Sequence, residues 1–314
     1  MPARNLAPPV ASPATSMTNA SKGQRRCRRQ RRDRGRRLCI LFAPVVAALT
    51  QGSGERQASA QDLRYSGPVD VAITSGGLGA WIASEDLRVE LVPRHCRWCD
   101  RDTSGDDTLN ALDREVRRLR WRRTDAADTL SSAIAFVATP LAAGGFSAVA
   151  AMHDGRSRDV GTNVLLVSEV GALAADLNQL VKFVVVRERP DAHALALSGS
   201  NAHLTSVDDN LSFYSGHASE AVSLAVAAGT VASLRGYRLA PLVWGTSLPL
   251  ALGAGYLRLA ADRHYCTDVI VGVVVGVALG ALVPVLFHSP EPGPLSAPGR
   301  STSQAYVVGY SGVL

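Results

Sequence analysis

Residues 269–287, VIVGVVVGVALGALVPVLF, run for 19 positions without a charged side chain. At about 1.5 Å of rise per helical residue, this length matches the roughly 30 Å of hydrocarbon in a bilayer, and it decides how the rest of the chain is read. Four further apolar segments precede it, at 130–152, 160–186, 218–234 and 239–257. The first and last of these four are also free of charge, whereas 160–186 carries Glu169 and Asp176 and 218–234 carries Glu220. Carboxylates in such helices must face the bundle, because lipid cannot solvate them. No internal repeat is visible. The expected fold is all-α, a membrane-embedded helical bundle of about five to six helices with its functional site on one face.

Outside this core at 128–288 the composition changes. Residues 1–60 carry a net charge of +10, against +6 for the whole chain and −4 for the remainder. The high pI therefore belongs to the leader, and no nucleic-acid partner is expected. The basic stretch ending at Arg37 is followed by the 13-residue apolar run 38–50 and then by Ala58-Ser59-Ala60, the order of a secretory signal. Thirteen residues are short for a span, which favours a cleaved signal over the alternative of an uncleaved anchor; Met17 is a second candidate start. Residues 61–127 read as a polar N-terminal extracytoplasmic region whose apolar stretch, 69–83, suits a short buried or interfacial helix. Within it Leu109, Leu112, Val116 and Leu119 fall at helical spacing with Arg114, Arg117, Arg118 and Arg120 between them, so an amphipathic surface helix with solvated or phospholipid-facing arginines is expected. Residues 289–314 are a Pro-rich linker and tail.

Three short clusters lie between the apolar segments. Lys182 is followed after six residues by Arg189-Pro190; Tyr214-Ser215-Gly216-His217 opens the third segment; Arg258, five residues, His264, three residues and Asp268 bridge the last two. Phosphate binding calls for such groups: Arg supplies forked donors, Lys a point charge, and a helix N-terminus at Ser215-Gly216 free backbone N–H groups. Two histidines allow one to attack phosphorus and the other to protonate the leaving oxygen. Asp268, four residues after His264, is placed to hold the imidazole in one tautomer. Antiparallel helices put alternate loops on one side, so all three clusters share a face, while Arg156, Arg158, Arg235 and Arg238 occupy the opposite loops. By the positive-inside rule the clusters face outward.

These residues resemble the type 2 phosphatidic acid phosphatase and vanadium haloperoxidase superfamily, whose pattern is K-x6-RP, PSGH and SR-x5-H-x3-D. The matches are Lys182, Arg189, Pro190, Ser215, Gly216, His217, Arg258, His264 and Asp268; Tyr214 stands in place of Pro and Leu257 in place of Ser. The resemblance implies a phosphatase of a phosphomonoester or pyrophosphate, most readily a lipid phosphate, working through a phosphohistidine. In it His264 is the nucleophile, His217 the general acid and Asp268 the orienter, with Lys182, Arg189, Ser215, Gly216 and Arg258 on the phosphoryl group. It implies neither metal nor cofactor for a phosphatase. The alternatives are a vanadate-dependent haloperoxidase, with vanadate as cofactor, and a catalytically silent membrane scaffold. Neither the particular substrate nor an oligomeric state follows from these residues.

Other features invite plainer readings. Cys96-Arg-Trp-Cys99 lacks the second ligand pair of a zinc site, and an exported compartment favours a local disulfide. Gly76-Gly77-Leu-Gly79 reads as a helix-packing or turn feature. His95, His153, His193, His203 and His288 have no charged partner at meaningful spacing and are expected at the surface or in loops.

Overall fold

The computed structural model describes residues 61–198 and 206–290; the basic leader with its signal-like pattern, His203 and the Pro-rich tail lie outside the described residues. The description below concerns the compact unit Ala58–Leu314. Eight helices and, among the described residues, no strand make it all-α. They are α1 (Gly67–Leu91), α2 (Ala111–Val116, continued by the 3-10 turn Arg117–Leu119), α3 (Thr124–His153), α4 (Val160–Val185), α5 (Pro190–Leu197), α6 (Gly216–Leu234), α7 (Ala240–Ala260) and α8 (Cys266–His288).

The centre of the bundle is α6, in which almost every residue from Ala218 to Ala232 is buried. Its buried side chains are Ala, Val, Ser, Gly and Thr, small enough for neighbouring helices to approach closely. The closest approach is made by α8. A Cβ placed on Gly272, Gly276 or Gly280 would lie 2.7 Å from the carbonyl oxygen of Ser215, Ser219 or Ser223, respectively. Glycines four apart share one helix face, so this seam brings two backbones together turn after turn, as small-residue motifs do in membrane helices. It also sets the N-terminus of α8 beside that of α6, through a hydrogen bond from Ser215 N–H to Asp268 C=O of 3.1 Å.

Helix α3 widens into a π turn at Ile134–Ala138. Pro140 follows directly and has no N–H for the carbonyl of Phe136, so the ladder is interrupted here. Three helices, α3 over Thr124–His153, the stretch Ser157–Val185 that contains α4, and α8, are long and apolar enough to cross a membrane. Their outward side chains, among them Leu141, Leu180, Val274 and Phe287, are exposed. The charge-bearing segment of α4 thus meets the criterion that α7, uncharged over 19 residues, does not.

Two expectations for residues 61–127 are revised. Helix α1 is no short element: its 25 residues run about 37 Å along α4. Its start is tied to the arginine-rich end by Gln61 N–H to Arg235 C=O (3.0 Å), and its far end to the opposite end by Arg88 to Asp208 (2.9 Å). Gly77 is the packing glycine that its sequence suggested, facing Ala172 and Asp176 of α4. In α2 the predicted polarity holds in part: Leu109 and Val116 are buried and Arg114, Arg118 and Arg120 are exposed, but Leu112 and Leu119 are exposed too, whereas Asp113 is buried and Arg117 forks onto Asp262 with two 2.8 Å hydrogen bonds. Apolar periodicity located part of the docked face; ion pairs of Asp113 with Arg187 and of Arg117 with Asp262 make the rest.

Replacing Gly276 by Val should force α6 and α8 apart and lower stability by about 1–3 kcal/mol, the usual cost of overpacking. Denaturant titration followed by circular dichroism measures it, and an unshifted midpoint would contradict the seam.

Candidate active site

Lys182 sits in the last turn of α4, which ends at Val186 in a left-handed conformation (φ 50°). That reversal sends Arg187, Glu188 and Arg189 back across the bundle end as an extended strap, and Pro190 opens α5 at a position that needs no N–H. Arg189 is fixed by its own N–H to Asp209 C=O (2.7 Å) and by Nε to Asp208 C=O (2.6 Å). Its Nη1 is buried with no hydrogen-bond partner among the described residues.

The second cluster starts α6. Ser215 is the N-cap residue, yet its hydroxyl caps nothing and is buried without a partner, leaving the first N–H groups of α6 available to an anion. Gly216 is required sterically: a Cβ there would stand 2.6 Å from Asn178 Oδ1 and 3.4 Å from Lys182 Nζ. Asn178 also donates to Tyr214 C=O (2.8 Å), and Tyr214, where the family has Pro, is buried. His217 Nε2 lies 3.0 Å from Ser132 Oγ, and its ring packs edge-on to Phe136 at 4.7 Å; both partners come from α3.

The third cluster closes the site. Arg258 is buried, paired with Asp128 and donating to Ser131 Oγ (3.1 Å), while its Nε has no partner among the described residues. His264 Nδ1 is 2.7 Å from Ser212 C=O. A carbonyl can only accept, so Nδ1 carries the proton and Nε2 is the unprotonated nitrogen. Burial, and after it the charges of Arg258, Arg189 and Lys182, hold this imidazole well below its usual range. His264 is therefore neutral near pH 7, as a nucleophile requires.

The structure thus gathers Lys182, Arg189, Ser215, Gly216, His217, Arg258 and His264 at one end of the bundle. Asp268 is present but does not bond to the imidazole: its Oδ2 is 3.7 Å from His264 Nδ1. His264 precedes the first residue of α8, so the four-residue spacing does not span a helical turn. Asp268 instead accepts from Arg187 Nη1 (2.6 Å), Ser212 Oγ (2.5 Å) and Tyr265 N–H (3.0 Å), and the imidazole is held by the Ser212 carbonyl.

Sequence reasoning missed Asp128, Ser131 and Ser132 in α3, Arg187, Ser212 and Asp113; none stands in a recognisable spacing. Two histidines expected at the surface are buried. His193 contacts Glu188 (3.1 Å) and Cys99 C=O (3.2 Å), and hydrogen bonding to Glu188 raises its pKa; His288 lies 3.3 Å from Glu169. Cys96 and Cys99 form a disulfide, so they are not thiolate ligands. Among the described residues no group of three or more His, Cys, Asp or Glu side chains is arranged to hold a metal ion.

Residues 163–290 match the PAP2 superfamily, and all three clusters lie inside the match. The resemblance read from the motifs therefore agrees with the family match over this segment. Two curated relatives, the decaprenylphosphoryl-5-phosphoribose phosphatases of Mycobacterium tuberculosis strains CDC 1551 / Oshkosh and ATCC 25618 / H37Rv, are each 34% identical over 119 residues, 38% of this chain. The chain spans 58% of the length of those relatives. No solved structure matches it. Helix α3 precedes the matched segment, although it supplies partners to Arg258 and His217.

Because His264 protonates less readily folded than unfolded, the unfolded chain binds the extra proton below its ordinary pKa of 6.5, and stability must fall as pH drops through that value. Unfolding titrations between about pH 8 and about pH 5 should show the fall, and His264→Gln should shallow it. An unchanged slope in the variant would mean that the folded imidazole titrates normally.

Proposed function

We propose that the protein is a membrane-embedded phosphatase that hydrolyses a phosphomonoester or pyrophosphate carried on a lipid, through a phosphohistidine intermediate. The observation that carries this reading is the convergence of Lys182, buried Arg189 and Arg258 donors, the α6 N-terminus and an unprotonated His264 Nε2 at one bundle end. His264 Nε2 attacks phosphorus as the bond from phosphorus to the leaving oxygen breaks, and His217, protonated once the bound phosphate offsets the burial and cationic surroundings that disfavour its charge, gives that oxygen its proton. Water then attacks the phosphohistidine, His217 takes its proton, and phosphate is released with His264 restored. The three cations and the helix N–H groups neutralise charge developing on the equatorial oxygens, the part a metal plays in other phosphoryl-transfer enzymes. Support for a lipid substrate comes from the three membrane-length helices and from the decaprenyl-linked substrate in the names of the two relatives.

The site faces outward in this reading, with Arg156, Arg158, Arg235 and Arg238 in the cytoplasm. Gln61 sits at that arginine end. A signal cleaved after Ala60 would leave Gln61 outside, so an outward-facing site favours an uncleaved leader. Reporter fusions decide the orientation: one after Gly236 should behave as cytoplasmic and one after Asp191 as exported, and the reverse would overturn it.

Purified protein assayed against phosphatidate, phosphatidylglycerophosphate and polyprenyl pyrophosphate should release phosphate at a rate unaffected by excess chelator. His264→Ala should abolish turnover and any acid-labile phosphoenzyme. His217→Ala should cost roughly 10²- to 10⁴-fold in rate, and less for a leaving group that needs no proton. A phosphoenzyme trapped on the His264→Ala variant would move the nucleophile to another residue.

A further inference from the structure

Two arginines in the strap after α4 have opposite environments. Arg189 keeps a free donor at the site, whereas Arg187 is fully buried and its guanidinium makes four hydrogen bonds and ion pairs with three carboxylates. Its Nε reaches Asp100 (3.0 Å), Nη1 reaches Thr267 Oγ1 (2.8 Å) and Asp268 (2.6 Å), and Nη2 lies 3.0 Å from Asp113 and 2.9 Å from Asp100. The rings of Trp98 and Tyr265 sandwich the guanidinium plane, each 4.1 Å from its carbon. With its charge already met by Asp100, Asp113 and Asp268 and both rings against it, this cation is not placed to serve a substrate phosphate.

Its contacts lead instead to the nucleophile. Asp268, held by Arg187, accepts from Ser212 Oγ; Ser212 N–H donates to Arg187 C=O (3.0 Å); and Ser212 C=O receives the His264 Nδ1 proton. One residue thereby fixes both ends of the segment whose carbonyl sets the imidazole tautomer. Arg187 is fixed in turn by the disulfide-closed turn Cys96–Cys99. That turn places Trp98 over it and pairs with the strap through Arg97 N–H to Val186 C=O and Glu188 N–H to Trp98 C=O, both 3.0 Å. Asp113 adds a third anchor, since it also binds Thr267 through N–H (2.9 Å) and Oγ1 (2.8 Å) at the start of α8.

We propose that Arg187 is a positioning residue for the nucleophile: acting through Asp268 and Ser212, it holds His264 as the Nδ1–H tautomer with Nε2 aimed into the phosphate site. This rests on the phosphatase reading for its catalytic consequence, but not for the tautomer itself. Arg187→Lys keeps the charge and loses the fork and the stacking; Ser212→Ala keeps the carbonyl and cuts only the link to Asp268.

The test uses the full chain in detergent micelles with ¹⁵N-labelled histidine, the His264 signal being assigned by its loss in His264→Gln. Wild type should show a single Nδ1–H tautomer. Arg187→Lys and Ser212→Ala should show exchange between tautomers and, with phosphatidate in mixed micelles, a kcat lower by roughly 10²-fold, the size of a misplacement of about 1 Å, at a KM within about threefold. A single tautomer and wild-type kcat in both variants would overturn the assignment. If Arg187→Lys does not fold, Ser212→Ala decides it alone by the same criterion. If wild type releases no phosphate from any substrate while the variants still lose the tautomer, the phosphatase reading fails and the positioning role stands.

Discussion

The seam between α6 and α8 is the constraint on which the site depends. Carbonyl oxygens of Ser215, Ser219 and Ser223 meet Gly272, Gly276 and Gly280 with no room for a Cβ. Only this close approach brings Asp268 C=O to Ser215 N–H, and with it the His264 turn to the start of α6. In lipid, where apolar surface gains little by leaving its surroundings, such backbone proximity is a principal source of helix association. The glycines that bind the two helices are therefore also what sets the spacing of the two histidines.

Charge is the second organising quantity, and it is divided into two groups. Arg187 and Glu188, buried, and Arg117, half-buried, are paired with opposite charges, and they fix loops to helix ends. Breaking such a pair leaves an uncompensated charge, which is why the groups around it stay in register. Arg189 and Arg258 are buried as deeply but keep a donor free, and with Lys182 they hold His264 neutral. The first group gives rigidity and the second gives a field aimed at a bound anion. Arg117, and the partners Asp100, Asp113 and Arg101 that hold Arg187 and Glu188, lie outside the segment that matches the PAP2 superfamily, as does α3 with its contacts to Arg258 and His217. The segment that carries the chemistry is thus braced from its N-terminal side.

Much of this was legible from sequence because it depends on local chemistry. Long uncharged runs can only be apolar helices, antiparallel succession puts alternate loops together, and the residue types in three spaced clusters serve phosphate and little else. Sequence alone determined the all-α class, the shared face and the nine residues of the motif. Tertiary structure decided which groups touch. Arg187 and Arg189 are two residues apart and chemically identical, and only Trp98, Asp100, Asp113 and Tyr265, brought from three separate places in the chain, make one a brace and leave the other free. The four-residue spacing of His264 and Asp268 suggested a direct pair, but the helix begins after His264, and Arg187 and Ser212 take the carboxylate instead. Spacing reports proximity only inside a regular element; across a turn, the partner of a buried polar group is chosen by whichever distant segment packs against it.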